Sequence, residues 1–512
     1  MSLYFSKATI SLIRVLNRTA NDIQYCGSYM LKRRAFQNSA VVTDKFSSSS
    51  DSLPKLKQVS QSRPLHQDGK KSQRVLPQIE VPEYPELGEA EPLNTPAFKG
   101  LETDFPCLTR VQKAGPEPEY DKITTGFRVY NHEAPFKLKY NGGILPHLQV
   151  AFETWGELNK EKNNAVLISA GLSASSHAKS HEDNVRPGWW EKFVGPGCAV
   201  DTDKFFVICT NNLGGCYGTS GPSSVNPVTG KPYGTTFPIV SVEDMVNAQM
   251  LLLHHLGIQK LHASVGSSLG GMCSVLNTVL YPERVGRLIS ISSCAQSHPS
   301  AIALRYLQRK CIMSDHNWNK GHYYDGEFPM IGMKLAREIA TLTYRSGPEW
   351  NERFGRSRIS DIDPPSLCPT FHIENYLEHQ GESFSTKFDP NSLLYISKAM
   401  DLFDVAEGFS SLEEGLSQVT CPAMIIGVQT DILFPIWQQR KLAQVLQDAG
   451  NDSVTFYELN SMYGHDTFLL DLNGVGTAVK GFLETDMSER GILAKEVLKR
   501  KASKKTSVKL GS

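Results

Sequence analysis

The octapeptide Val265-Gly266-Ser267-Ser268-Leu269-Gly270-Gly271-Met272 restricts the fold of this chain more than any other segment. A β-branched run, Leu261–Val265, leads into it, and an apolar helical pattern, Gly271–Tyr281, leads out of it and is closed by Pro282. A strand that turns at once into a helix needs small residues on both sides of the turn, and Gly266 and Gly270 flank Ser268 accordingly. The Ser268 hydroxyl is then exposed at the strand's carboxyl end. The backbone N–H of Leu269 opens the helix and points where negative charge would develop. The five-residue pattern G-x-S-x-G is common by itself, and its serine could simply cap the helix. The strand before it and the helix after it are what give it weight.

The flanking sequence repeats that alternation. Val150–Thr154, Val166–Ala170, Phe205–Thr210, Leu288–Ser292, Met424–Val428 and Val454–Leu459 read as strands, and Glu243–Leu256 as a helix opened by acids and closed by Gly257. The pattern predicts an α/β class protein with a mostly parallel sheet flanked by helices, as in the α/β-hydrolase fold. The Val150 run could belong to an antiparallel entry hairpin. Residues 297–415 carry amphipathic segments (Ala301–Cys311, Met333–Tyr344, Pro390–Phe403) and no clear strand, which predicts an inserted helical lid. The catalytic domain is therefore expected at 126–296 and 416–485, after a Pro- and Ser-rich linker at 46–125 and before a basic tail at 486–512. Residues 1–45 begin with Lys7, Arg14 and Arg18 among hydroxyl and apolar residues, with no acid before Asp22. That composition suggests a mitochondrial presequence, with a cytoplasmic protein bearing a basic tail as the alternative.

Composition narrows the partners. With 53 basic and 53 acidic residues the formal net charge is zero, so neither nucleic acid nor an anionic membrane is expected. No apolar run approaches the roughly 18 residues that a membrane span requires. The ten cysteines are scattered without a C-x-x-C pair, which speaks for a reduced compartment, and no metal site is expected.

A serine hydroxyl attacks poorly unless a base takes its proton, and the base must be oriented by an acid. In this topology both follow the serine in the chain. Asp431 closes the Met424–Val428 run in Thr430-Asp431-Ile432-Leu433-Phe434-Pro435. His465, in Tyr463-Gly464-His465-Asp466, follows the Val454–Leu459 run and is the last histidine of the sequence. A Ser268–Asp431–His465 triad that forms an acyl-enzyme is the reading. A second oxyanion donor should come from the loop Gly171-Leu172-Ser173-Ala174-Ser175-Ser176-His177, where the Leu172 N–H is the candidate.

Beyond these residues the chain resembles the homoserine O-acetyltransferase family, which also contains serine O-acyltransferases, from about 127 to 483. The resemblance rests on the elbow around Ser268, on Asp431-Ile432-Leu433-Phe434-Pro435 and on Gly464-His465-Asp466-Thr467-Phe468-Leu469. More specific are Asn212-Leu213-Gly214-Gly215-Cys216-Tyr217-Gly218-Thr219-Ser220-Gly221-Pro222 and Gln308-Arg309-Lys310-Cys311-Ile312. It implies ping-pong transfer from an acyl-CoA co-substrate, with no permanently bound cofactor, to an amino-acid hydroxyl. It also implies that Arg309 holds the acceptor's carboxylate, that Asp466 holds its ammonium, and that the protein is a homodimer through the lid helices. Leu172-Ser173-Ala174-Ser175-Ser176-His177-Ala178, Pro187-Gly188-Trp189-Trp190 and Gly215-Cys216 are closer to the serine-acylating branch. L-serine with acetyl-CoA is thus the first expectation. L-homoserine O-acetylation, serine O-succinylation and, from another class, an esterase or a non-catalytic binding protein are the alternatives.

Overall fold

The computed structural model describes residues 124–485. The expected presequence, most of the linker and the basic tail lie outside the described residues. Eight strands form the main sheet: β1 (Arg128–His132), β2 (Leu148–Trp155), β3 (Ala165–Ser169), β4 (Phe206–Thr210), β5 (Ala263–Ser267), β6 (Leu288–Ile291), β7 (Ala423–Val428) and β8 (Val454–Leu459). They run in the order β1-β2-β4-β3-β5-β6-β7-β8. β2 is antiparallel to both β1 and β4, and every pair from β4 onward is parallel. The sheet and its covering helices give the α/β-hydrolase architecture. The strand expected at Leu261–Val265 lies two residues later, because Gly266 and Ser267 still pair with β3 and β6 before the chain turns.

Alternate residues of the buried strands feed two apolar clusters, one per face. Leu167, Leu288, Ile425 and Leu446 belong to one. Val166, Ile168, Ile289 and Ile426 pack with Trp190, Phe193 and Val479 in the other. Fully burying such a side chain contributes about 1.5–3 kcal/mol, so the sheet that carries the site is held from both sides. Helix α1 (Val242–His255) starts on a capping box in which the Ser241 hydroxyl accepts from the Asp244 N–H and the Asp244 carboxylate accepts from the Ser241 N–H. Helix α2 (Leu269–Leu280) follows Ser268 directly.

Between β6 and β7 the chain runs through α3 (Pro299–Ser314), α4 (Met330–Tyr344), α5 (Gly347–Arg353), α6 (His372–Ser385), α7 (Pro390–Asp401) and α8 (Leu412–Ser417). Three of these, α5, α6 and α8, are not legible as helices in the sequence. Helix α9 (Ile436–Asp448) follows β7, and a single helical turn, Thr467–Leu470, and α10 (Thr477–Glu484) follow β8. Among the described residues no helix is long and apolar enough to cross a membrane.

Candidate active site

Strand register brings the site together. Ser169 pairs with Gly266, Ser267 with Ile291, Ile291 with Ile426, and Val428 with Leu459, so β3, β5, β7 and β8 all end at one edge. Ser268 leaves that edge at φ 57° and ψ −122°, a backbone conformation that costs energy in a residue with a Cβ and recurs at functional turns. The surrounding glycines have a steric cause. A Cβ on Gly266 would lie 2.0 Å from the Gly270 carbonyl oxygen, and one on Gly270 would lie 2.0 Å from that of Ser169. The turn is pinned by the Ser268 N–H donating to the Ile291 carbonyl (2.9 Å) and the Ser293 hydroxyl donating to the Ser268 carbonyl (2.8 Å).

Asp431 and His465, the expected acid and base, lie within hydrogen-bond distance of each other. His465 Nδ1–H donates to Asp431 Oδ2 at 2.7 Å, while Asp431 Oδ1 accepts from the Leu433 and Phe434 N–H groups at 2.9 and 2.8 Å. This fixes the tautomer: Nδ1 carries the hydrogen and Nε2 keeps the basic lone pair. Phe434 stacks on the imidazole and Phe468 meets it edge-on, with centroids 5.3 and 5.4 Å away. Burial disfavours the charged ring, but Asp431, by charge and hydrogen bond, outweighs this and holds the His465 pKa above its ordinary 6.5. Ser268 and His465 line the same cavity, and no hydrogen bond joins them among the described residues. Such bonds commonly tighten only when substrate is in place.

That cavity, about 380 Å³, is floored by the sheet edge and roofed by the lid. Leu172 lines it, and neither the Leu172 nor the Leu269 N–H donates a hydrogen bond among the described residues, so both remain available to an oxyanion. Asp466 also lines it. Burial pushes its carboxyl up, against Arg345, whose Nε lies 3.5 Å from Asp466 Oδ2.

Of the two substrate-binding residues expected from the sequence, Arg309 is the one that does not line the cavity. It turns toward Asp401 instead, with Nη2 to Oδ2 at 2.5 Å, and its other Nη reaches the Ser397 hydroxyl at 3.3 Å. Arg305, one helical turn earlier, does line the cavity. Its Nε donates to Asp401 Oδ1 at 2.6 Å, its Nη2 donates to the Ser297 hydroxyl, and its buried Nη1 has no hydrogen-bond partner among the described residues. Arg337 and Arg345, both on the lid, line the cavity as well. The available signal was the i, i+4 spacing of Arg305 and Arg309, which puts both on one helical face; spacing cannot say which of the two Asp401 turns away.

A model for the alpha/beta hydrolase fold matches residues 164–475. A serine O-succinyltransferase from Emericella nidulans is 48% identical over 455 residues, covering 74% of this chain and 87% of the relative. The solved homoserine O-acetyltransferase from Bacillus anthracis superposes with a TM-score of 0.66 at 31% identity, over 70% of this chain and 98% of that one. Esterase E22 superposes with a TM-score of 0.65 at 31% identity, over 70% of this chain and 100% of the esterase. With an elbow serine, a paired histidine and a roofed cavity already in place, this chain belongs to the homoserine O-acyltransferase family of α/β-hydrolase-fold enzymes and is an O-acyltransferase.

Proposed function

We propose that this enzyme moves a succinyl group from succinyl-CoA to the side-chain hydroxyl of L-serine through a Ser268 acyl-enzyme. The observation that carries the acceptor class is that Arg305 and Asp466 line one cavity, a cation for a carboxylate and an anion for an ammonium. Ser268 Oγ attacks the thioester carbonyl and its proton passes to His465 Nε2. The oxyanion sits on the Leu172 and Leu269 N–H groups. The C–S bond then breaks and CoA leaves with the proton from His465. In the second half His465 takes the proton of the serine hydroxyl, whose oxygen attacks the acyl ester. Ser268 recovers its proton as the product ester is released. Arg305, which lines the cavity, takes the carboxylate role that the family resemblance implies for Arg309.

For the donor, the sequence alone favoured acetyl. Two findings support succinyl. Relatives 45–49% identical to this chain carry the name serine O-succinyltransferase. Three arginines also line the cavity against one carboxylate, and Arg337 has no ion-pair partner among the described residues, resting on Tyr344 and Phe384 at 5.0 and 4.2 Å. A zwitterionic acceptor and an acetyl group bring no net charge to that guanidinium, which Asp466 reaches only through space, whereas the free carboxylate of a succinyl group gives it a direct ion-pair partner.

Leu307, Met313, Ile331, Leu335 and Leu342 expose apolar surface on α3 and α4, which supports a homodimer through this face. Import into mitochondria rests on the basic, hydroxyl-rich composition of residues 1–45.

The test is CoA release from succinyl-CoA or acetyl-CoA with L-serine, L-homoserine or no acceptor. Fast release with succinyl-CoA only when serine is present is the expected result. Equal release without an acceptor would make the protein an esterase-like hydrolase, and a preference for homoserine would move the acceptor assignment.

A further inference from the structure

Glu153, on β2, is buried behind the catalytic edge rather than in the cavity. Its Oε1 accepts from the Ser176 hydroxyl at 2.6 Å. Its Oε2 lies 2.7 Å from both His177 Nδ1 and His181 Nε2. The other nitrogen of His177, Nε2, lies 2.7 Å from the Arg186 carbonyl oxygen. A carboxylate and a backbone carbonyl can only accept, so both nitrogens of His177 carry hydrogen and the ring is an imidazolium. Glu153, His177 and His181 could each offer one ligand atom to a metal ion, those atoms all lying within 4.8 Å of one another. Metal binding needs a bare ring nitrogen, however, and His177 has none to give while its two hydrogen bonds stand.

Ser176 and His177 end the loop whose beginning lines the cavity at Gly171, Leu172, Ser173 and Ala174. The same loop is held elsewhere by uncharged bonds: Ser176 N–H to Asn211 Oδ1 (2.8 Å), Asn212 Nδ2–H to the Gly171 carbonyl (2.9 Å) and Trp189 Nε1–H to the Ser175 carbonyl (2.9 Å). We infer that Glu153 and the doubly hydrogen-bonded His177 are positioning residues that set the oxyanion loop, and with it the Leu172 N–H, for both halves of the reaction. The inference rests on acyl transfer through Ser268, but not on which acyl group or acceptor is used.

The arrangement depends on the proton of His177. Burial works against the charged ring, yet the Glu153 hydrogen bond, the Arg186 carbonyl and the charges of Glu153 and Glu191 together hold its pKa above 6.5. Glu153 stays ionised, held below its usual 4.5 despite burial by bonds from His177, Ser176 and His181. The groups facing this pair are His181 on the same loop, Glu191 and, on β4 in register with Glu153, the buried thiol of Cys209, which burial keeps neutral. Because the folded pKa is raised, the anchor is complete below pH 6.5 and is lost as pH rises through the higher value. A lone pair would then face an oxygen, and the loop would loosen.

The test compares Glu153→Gln, Ser176→Ala and His177→Asn with the wild type, using succinyl-CoA with serine and the pre-steady-state burst with p-nitrophenyl acetate. Glu153→Gln should lower kcat and the burst rate by about 100-fold, with KM for succinyl-CoA changed less than about threefold. Ser176→Ala, which loses one hydroxyl, should lower kcat about tenfold and decides the matter if Glu153→Gln does not fold. His177→Asn keeps a donor toward Glu153 but cannot titrate, so the descending alkaline limb of kcat should vanish. Unchanged burst rates in folded variants, an unmoved alkaline limb, or stoichiometric metal in the wild type that His177→Asn loses would each overturn the inference. A wild type inactive toward succinyl-CoA and serine but with a normal burst would instead count against the proposed function, leaving the variant comparison intact.

Discussion

The sheet edge and the lid meet at one cavity but are built on different physics. At the edge, Ser268, Asp431 and His465 are placed by strand register, close glycine packing and backbone hydrogen bonds, which leave little freedom. The lid instead holds most of its charged side chains in ion pairs: Arg305 and Arg309 on Asp401, Arg345 on Glu349 and on Asp466 of the edge, and Lys334 among Glu338, Glu378 and Glu382. Such networks can be rewired by one substitution while the elbow cannot. On the proposed function, the edge sets the chemistry and the lid sets what is acylated and with what.

That division predicts a graded series. Ser268→Ala should lower kcat by about 10⁶-fold with the fold intact, since the acyl-enzyme cannot form. Asp431→Asn should lower it by about 10⁴-fold by releasing the tautomer of His465. Lid variants should act on KM and selectivity. Arg305→Gln should raise the serine KM by about 10–100-fold, whereas Arg309→Gln should cost stability more than serine binding, because Arg309 faces Asp401. Similar KM effects from both would return the carboxylate role to Arg309. Arg337→Leu should lower kcat/KM for succinyl-CoA relative to acetyl-CoA by about 10-fold or more.

pH should separate the two regions as well. His465 acts as a base only when neutral, and its pKa is raised, so the acid limb of kcat/KM should fall above pH 6.5. The smallest effect belongs to Glu338. Burial, with Glu378 adding to it, pushes its carboxyl up to about 7. A raised acid favours the folded state when protonated, so its contribution is present at low pH and is lost between 4.5 and about 7. Glu338→Gln should therefore raise Tm at pH 8 and leave it unchanged at pH 4.5, as thermal melts would show.

What the sequence made legible follows the same division. Gly266, Ser268 and Gly270, followed by Asp431 and His465 in fixed order, carry the edge in local pattern, because sharp turns and strand ends depend on residues close in sequence. The β5 boundary slipped by two residues because Gly266 and Ser267 lack β propensity yet are paired by their neighbours. In the lid, Arg305 and Arg309 meet Asp401 across more than 90 residues, and no periodicity reports such a pairing. Glu153 is silent in the sequence for a similar reason. It reads as one residue of an edge-proximal strand, and its meaning comes from His177 and His181, more than 20 residues away.

The central claim is the covalent intermediate on Ser268, and intact-mass analysis tests it most directly. Mixing the enzyme with succinyl-CoA in the absence of serine should add the mass of one succinyl group, mapped to the peptide bearing Ser268. L-serine should then remove it, with formation of the O-acylated amino acid. Absence of the adduct while succinyl-CoA and serine still turn over would contradict the account, because acyl transfer would then be passing directly between the substrates.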